Sequence, residues 1–268
     1  MIQKTRATIT FILIFAWAFP SFAKEKDLVI TASGGISYVN LQDSYFSAIL
    51  YHGVAGLASI RLTTITASYW DDLSLFFRDG RLAMDISSAY RDANTHFIGG
   101  NIHYSHVRKL KPRLNAKQQF GAGGNFSSSA DFYKRNLYGD NYGYLYQSSV
   151  GPSFAFRYSL KENGRLQIST QADLSLFSYI VCPSYGSVMP ERLLEKELSG
   201  ITSWNYITGG KILAINKFQR INWTASLTCG ISDKISLLLG YSWEFIHLKR
   251  EDDLLQAIHN IQFAVQLH

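Results

Sequence analysis

Cysteine, proline and charge are all scarce in this chain of 268 residues. Its two cysteines, Cys182 and Cys229, are too few for a disulfide scaffold or a four-cysteine zinc site. Five prolines exclude a collagen-like chain. Charged residues make up 17%, below the roughly 25% of ordinary soluble domains, while 47% are apolar. That balance excludes a disordered chain and a coiled coil. Beyond Lys24 no apolar run approaches the roughly 18 residues of a transmembrane helix. Most Lys and Arg fall in predicted turns (Lys109, Lys111, Arg113, Lys161, Arg165) rather than on one stripe, so nucleic acid is not an expected partner.

Aromatic residues, by contrast, are plentiful: 16 Tyr, 17 Phe and 5 Trp. The first of the apolar segments is an address. Lys4 and Arg6 form a positive head, Ala7 to Phe19 carries no charge, and Ser21-Phe22-Ala23 places small residues before a cut ahead of Lys24. Residues 1–23 therefore read as a cleaved secretory signal peptide, and 24–268 as the mature domain.

The dominant period of that domain is two, the period of a strand with unlike faces. Ile221, Trp223, Ala225, Leu227, Cys229 and Ile231 alternate with Asn222, Thr224, Ser226, Thr228 and Gly230. Past a turn at Ser232-Asp233, Ile235, Leu237, Leu239, Tyr241, Trp243 and Phe245 alternate with Ser236, Leu238, Gly240, Ser242 and Glu244. Residues 144–160 and 165–180 form a similar pair around Asn163-Gly164, a strong hairpin signal. A third pair, 96–110 and 113–127, flanks Lys111-Pro112, and the last strand carries Ile261, Phe263, Val265 and Leu267 on one face. Residues 44–66 and 68–91 make two long strands, or four if Asp71-Asp72 and Asp79-Gly80 are turns. The total is ten strands, or twelve with both breaks. Short turns near 67, 111, 162 and 232 alternate with longer connections, of which 128–143 and 181–204 are the longest.

One face of each strand is large and apolar over ten or more residues. The other carries mainly Ser, Thr, Gly, Asn and Gln, where a water-exposed sheet would carry Lys and Glu. Small neutral residues suit a crowded polar interior, and the apolar face is long enough to cross a bilayer as a tilted strand. Tyr142, Tyr144 and Tyr146, Trp204 and Tyr206, and Tyr69 and Trp70 sit near strand ends, as interfacial girdles would. Only a closed barrel satisfies strand backbones in lipid. The expected fold is all-β: a single antiparallel up-and-down transmembrane β-barrel with outer-membrane lipid as its solvent. The alternative is a soluble periplasmic β-barrel that binds a ligand.

The chain also resembles a group of uncharacterised outer-membrane β-barrel proteins common in Bacteroidota. The resemblance rests on Asp43-Ser44-Tyr45-Phe46-Ser47, on Tyr51-His52-Gly53, and on Pro183-Ser184-Tyr185-Gly186. It implies an outer-membrane location and a barrel assembled by the membrane's barrel assembly machinery, and it implies no reaction.

No catalytic constellation stands out. His103 and Ser105 share a strand face, but the position where the His-x-Ser pair of barrel lipid A deacylases finds its acid holds Asn115. A nucleophilic serine needs an oriented base, and two polar lumen residues are the simpler reading. Asp71-Asp72 with a distant His96 is similar to the paired acids of omptin-type barrel proteases. Adjacent residues of a strand point to opposite faces, so a solvated turn is the expected setting. His52, His96, His103, His106, His247, His259 and His268 show no zinc-like spacing, and no cofactor is expected. Gly121, Gly123 and Gly124 read as close-packing points inside a strand. Cys182 and Cys229 fall at opposite ends of the barrel, too far apart for a disulfide.

The expected role is structural, adhesive or narrow transport; an outer-membrane enzyme acting on lipid or peptide is the alternative. Barrels of this strand number fill their interiors with side chains. Arg157, Arg165, Gln167, Gln171, Asp173 and Glu244 are the expected internal network. An extracellular ligand is expected at the loops 128–143 and 181–204, through Tyr133, Lys134, Arg135, Tyr138, Tyr185, Met189 and the run Glu191 to Glu197.

Overall fold

The computed structural model describes residues 27–43, 47–84, 94–110, 117–135, 141–160, 165–181, 210–249 and 253–268. The expected signal peptide, Trp204, Tyr206 and most of the loop 181–204 lie outside them. Twelve strands follow in chain order: β1 (Asp27–Asp43), β2 (Ser47–Ile65), β3 (Tyr69–Met84), β4 (Asn94–Lys109), β5 (Gln118–Arg135), β6 (Asn141–Ser159), β7 (Leu166–Leu174), β8 (Phe177–Val181), β9 (Lys211–Ala214), β10 (Phe218–Gly230), β11 (Ile235–Leu248) and β12 (Leu254–Leu267).

Ten of them close a ring. The order β5-β4-β3-β2-β1-β12-β11-β10-β7-β6 returns to β5, and every pairing is antiparallel. β8 and β9 extend beyond this ring, β8 on the upper part of β6 and β9 on β8. The expected ten-stranded antiparallel barrel is therefore present. The two additional strands do not come from the breaks anticipated at Asp71-Asp72 and Asp79-Gly80, because β3 runs unbroken through both. Asp79-Gly80 is no turn: a Cβ at Gly80 would sit 2.5 Å from the Ala55 Cα, so glycine there allows β2 and β3 to close up.

The additional strands arise from two irregularities. Between Asp173 and Phe177 the chain has one residue more than its partner segment on β6, a bulge that reverses side-chain facing. Ile180, which strict alternation from Ile168 would place on the outer face, is buried inside as a result. Opposite it, the chain turns at 215–217, where the Lys217 amide donates to the Ala214 carbonyl at 2.9 Å.

A further boundary differs from the sequence expectation. β5 continues to Arg135, so most of the expected loop 128–143 is strand. Its Ser-rich run survives as strand because both faces find hydrogen bonds: Ser127 with Ser149 at 2.8 Å inside, and Ser128 with Ser148 at 2.9 Å outside.

Along most of the barrel the outer face is apolar, with Ile36, Leu75, Phe77, Ile102, Phe154 and Leu239 among its exposed side chains. Towards the end with the long connections this pattern inverts. Val39, Leu41, Tyr51, Leu82, Phe97 and Tyr133 are buried inside, and Asp79, Arg81 and His96 are exposed outside. A second apolar cluster, Leu145, Ile180, Phe218, Ile246, Leu248 and Leu254, completes this interior layer. On β3 and β4 that end is apolar within and polar without, while Leu50, Val54 and Phe132 of β2 and β5 stay exposed on its outer face.

Candidate functional site

The lumen is stacked in three layers. The apolar layer closes the long-connection end. Tyr133, expected to present itself from a loop, stacks instead on Phe97 within this layer, with ring centroids 5.6 Å apart.

Below it lies a charged layer. Glu244 on β11 receives Arg220 of neighbouring β10 at 2.5 Å and Arg78 of β3, from across the ring, at 3.2 Å. Arg220 also donates to Ser127 Oγ at 2.8 Å. Asp131 stands close enough to feel both arginines and Glu244, and Gln256 Nε2 donates to it at 3.4 Å. Two cations and two carboxylates thus balance in a site from which water is largely excluded, the condition under which buried charge is tolerable.

The third layer is polar and opens at the short-turn end. His103 Nε2 lies 3.2 Å from Asp173 Oδ2. Gln171 Nε2 donates to Ser105 Oγ at 3.0 Å and to Asp173 Oδ1 at 3.0 Å. Ser105 is thereby tied to Gln171, while His103 is directed at Asp173. The arrangement orients a histidine without aiming it at a nucleophile. Both residues are buried lumen side chains, as the sequence suggests; Asn115 lies outside the described residues.

Asp71 and Asp72 do point to opposite faces, within a strand and not a turn. Asp72 faces inward and accepts a hydrogen bond from Thr63. Asp71 faces outward, 2.7 Å from His106 Nδ1, and accepts from Tyr104 at 3.2 Å. His96 bonds Asp79 at 2.6 Å, not Asp71 or Asp72. These two Asp–His pairs mark the edges of the apolar belt on β3 and β4. Asp71 and Asp79 are eight residues apart, about 26 Å along a strand and about 20 Å along a tilted barrel axis, close to the apolar height of membrane barrels.

Trp70, expected in an outer girdle, lies inside instead, almost wholly buried, because the even positions of β3 face the lumen. Arg157 stacks 4.5 Å from its ring centroid. Gly121 leaves room for this indole: a Cβ there would come within 2.6 Å of it. Gly123 likewise lies against the His106 carbonyl, so those glycines are close-packing points. Arg165 is exposed beside Asp233 in the turn and does not join the internal network, whereas Arg78, Arg220 and Asp131, not anticipated, do. Cys229 is a free thiol on the outer face; Cys182 lies outside the described residues. Among the described residues no group of three metal-ligating side chains converges.

Closed ring, apolar belt and plugged polar lumen are the features of outer-membrane β-barrels. No protein-family model matches the chain, and no curated protein does. Among solved structures it is similar to the outer membrane protease OmpT from Escherichia coli, with a TM-score of 0.61 at 6% identity, covering 93% of this chain and 99% of that one. Neisserial surface protein A matches at a TM-score of 0.40 and 8% identity over 91% of this chain and 99% of that one. The translocator domain of the autotransporter NalP from Neisseria meningitidis matches at 0.40 and 7% over 99% and 95%. At these identities the likeness establishes the fold alone.

Proposed function

We propose that the protein is a closed, non-catalytic barrel of the bacterial outer membrane whose working surface is the end bearing the long connections. The observation that carries this reading is the filled lumen. An apolar layer and a neutral charged layer lie one above the other across the ring, leaving no polar path from end to end among the described residues. A barrel so plugged supports what its ends present, since recognition on rigid scaffolds is concentrated in loops. The resemblance to an uncharacterised Bacteroidota barrel family points to the same compartment, with outer-membrane lipid around the belt. A ligand of the cell exterior would meet residues 182–209 and 136–140. The buried positions of His103 and Ser105 favour a structural role over hydrolysis.

Reconstitution in planar bilayers tests the reading. The refolded protein is expected to insert without adding conductance. Stable single-channel steps, abolished by a bulky substitution in the lumen, would replace it with a transport function.

A further inference from the structure

We infer that the short-turn mouth of the lumen is a binding site for a compact oxyanion, held by Arg61 and Arg157. Among the described residues the cavity wall at this mouth carries Arg61, Arg157 and Asp72, with Lys109 close by over Trp70, while Asp173 of the same layer is taken up by His103, Ser153 and Gln171. Lys109 is committed to the Thr66 carbonyl at 2.6 Å. Asp72 is partly satisfied by Thr63 and stands 3.8 Å from Arg157, too far for a close charge-assisted bond. Arg61 has no hydrogen-bond or ion-pair partner among the described residues. It nevertheless shares a cavity wall with Arg157, and the two guanidinium groups repel each other.

Two partly buried guanidinium groups with one carboxylate between them leave a positive charge in excess, and a bound anion offsets that cost. Alongside Leu238 and small apolar residues such as Ala155 and Ala264, the wall carries polar groups that suit the same ligand. Ser169, Ser226, Thr224 and Gln262 surround the arginines with short polar groups. Trp70 packs against the Arg157 guanidinium, its ring centroid 4.5 Å from the central carbon, and a guanidinium can present two parallel donors to an oxyanion. The free space is about 50 Å³, enough for a few waters or one small anion and too little for a sugar or a peptide. Phosphate, whether free or as the headgroup of an anionic lipid, is the ligand chemistry that fits. The site itself is independent of the membrane reading; only its exposure to the periplasm rests on that reading.

Calorimetric titration of inorganic phosphate into the protein, refolded in zwitterionic detergent at low salt, tests this. Saturable binding of one phosphate per chain is expected. Arg61→Gln and Arg157→Gln should each weaken it about tenfold or more, the loss of one charge-assisted donor pair. Arg81→Gln, on the exposed outer face, should leave it unchanged. Heat-modifiable migration on gels reports folding of each variant; if Arg157→Gln fails it, Arg61→Gln carries the test. A second titration uses short-chain phosphatidylglycerol. Binding of that lipid alone, with the same sensitivity to Arg61→Gln, would assign the site to a lipid headgroup and keep the oxyanion chemistry. Binding of neither, or binding indifferent to both substitutions, would overturn the proposal.

Discussion

Arg78 of β3 reaches across the barrel to Glu244 of β11, with its Nη2 3.2 Å from Oε2 and both side chains about 5% exposed. Three strands, β2, β1 and β12, separate the two around the ring, so the pair braces walls that share no backbone hydrogen bonds.

Glu244→Gln removes the carboxylate on which both arginines converge. Breaking a buried pair by deleting one partner leaves charge uncompensated, at a cost of about 3–5 kcal/mol. Urea unfolding in lipid vesicles should register a loss of that order. By comparison Asp233→Asn, in the solvent-exposed contact with Arg165 at 3.9 Å, should change stability hardly at all.

This brace escapes a reading of the sequence for a physical reason. Alternation makes the ring legible, because one apolar and one small polar face repeat through Ile221 to Ile231 and Ile235 to Phe245. It also places Glu244, Arg157, Gln171 and Asp173 inside. It does not show that Arg78 and Glu244, far apart in the chain, meet across a lumen, since period fixes a side chain's face and not its partner. Asp79-Gly80 looks like a turn because its residue types favour turns, yet here glycine serves strand approach. The bulge after Asp173 shifts facing by one, which alternation cannot anticipate, and so the pattern puts Ile180 on the wrong side. The apolar plug is hidden for a related reason: Val39 and Leu41 continue the strand, and alternation does not show that the inward face turns from polar to apolar there.

Leu239 projects from the outer face near mid-strand, and Ser226 projects into the polar cavity beside Ser169. Leu239→Arg should cost about 2–4 kcal/mol in vesicles if the belt lies in lipid there. Ser226→Arg should cost less, and equal losses would argue against the assigned facing.

Gly123 and Gly124 are adjacent but unlike. A Cβ at Gly123 would lie 1.8 Å from the His106 carbonyl oxygen, while the nearest atom to one at Gly124 is 3.6 Å away. Gly123→Ala should destabilise by about 3 kcal/mol, as overpacking against backbone does. Gly124→Ala should be nearly neutral, and refolding yields followed by gel mobility would separate the two.

The connection between Val181 and Lys211 leaves from the end opposite the turns at 66–68 and 231–234. An epitope tag after Glu195 should therefore be reached by antibody on intact cells. Labelling only after permeabilisation would reverse the topology.

The solvent around β3 gives the most direct test. Lipid should surround the belt between Asp71 and Asp79, and water the inverted end beyond it. Nitroxide labels at positions 75 and 81, placed singly in a cysteine-free background and reconstituted in vesicles, report this through collisions with oxygen and with a water-soluble nickel chelate. Position 75 should favour oxygen and position 81 the chelate. Chelate access at both positions would contradict a membrane-embedded barrel.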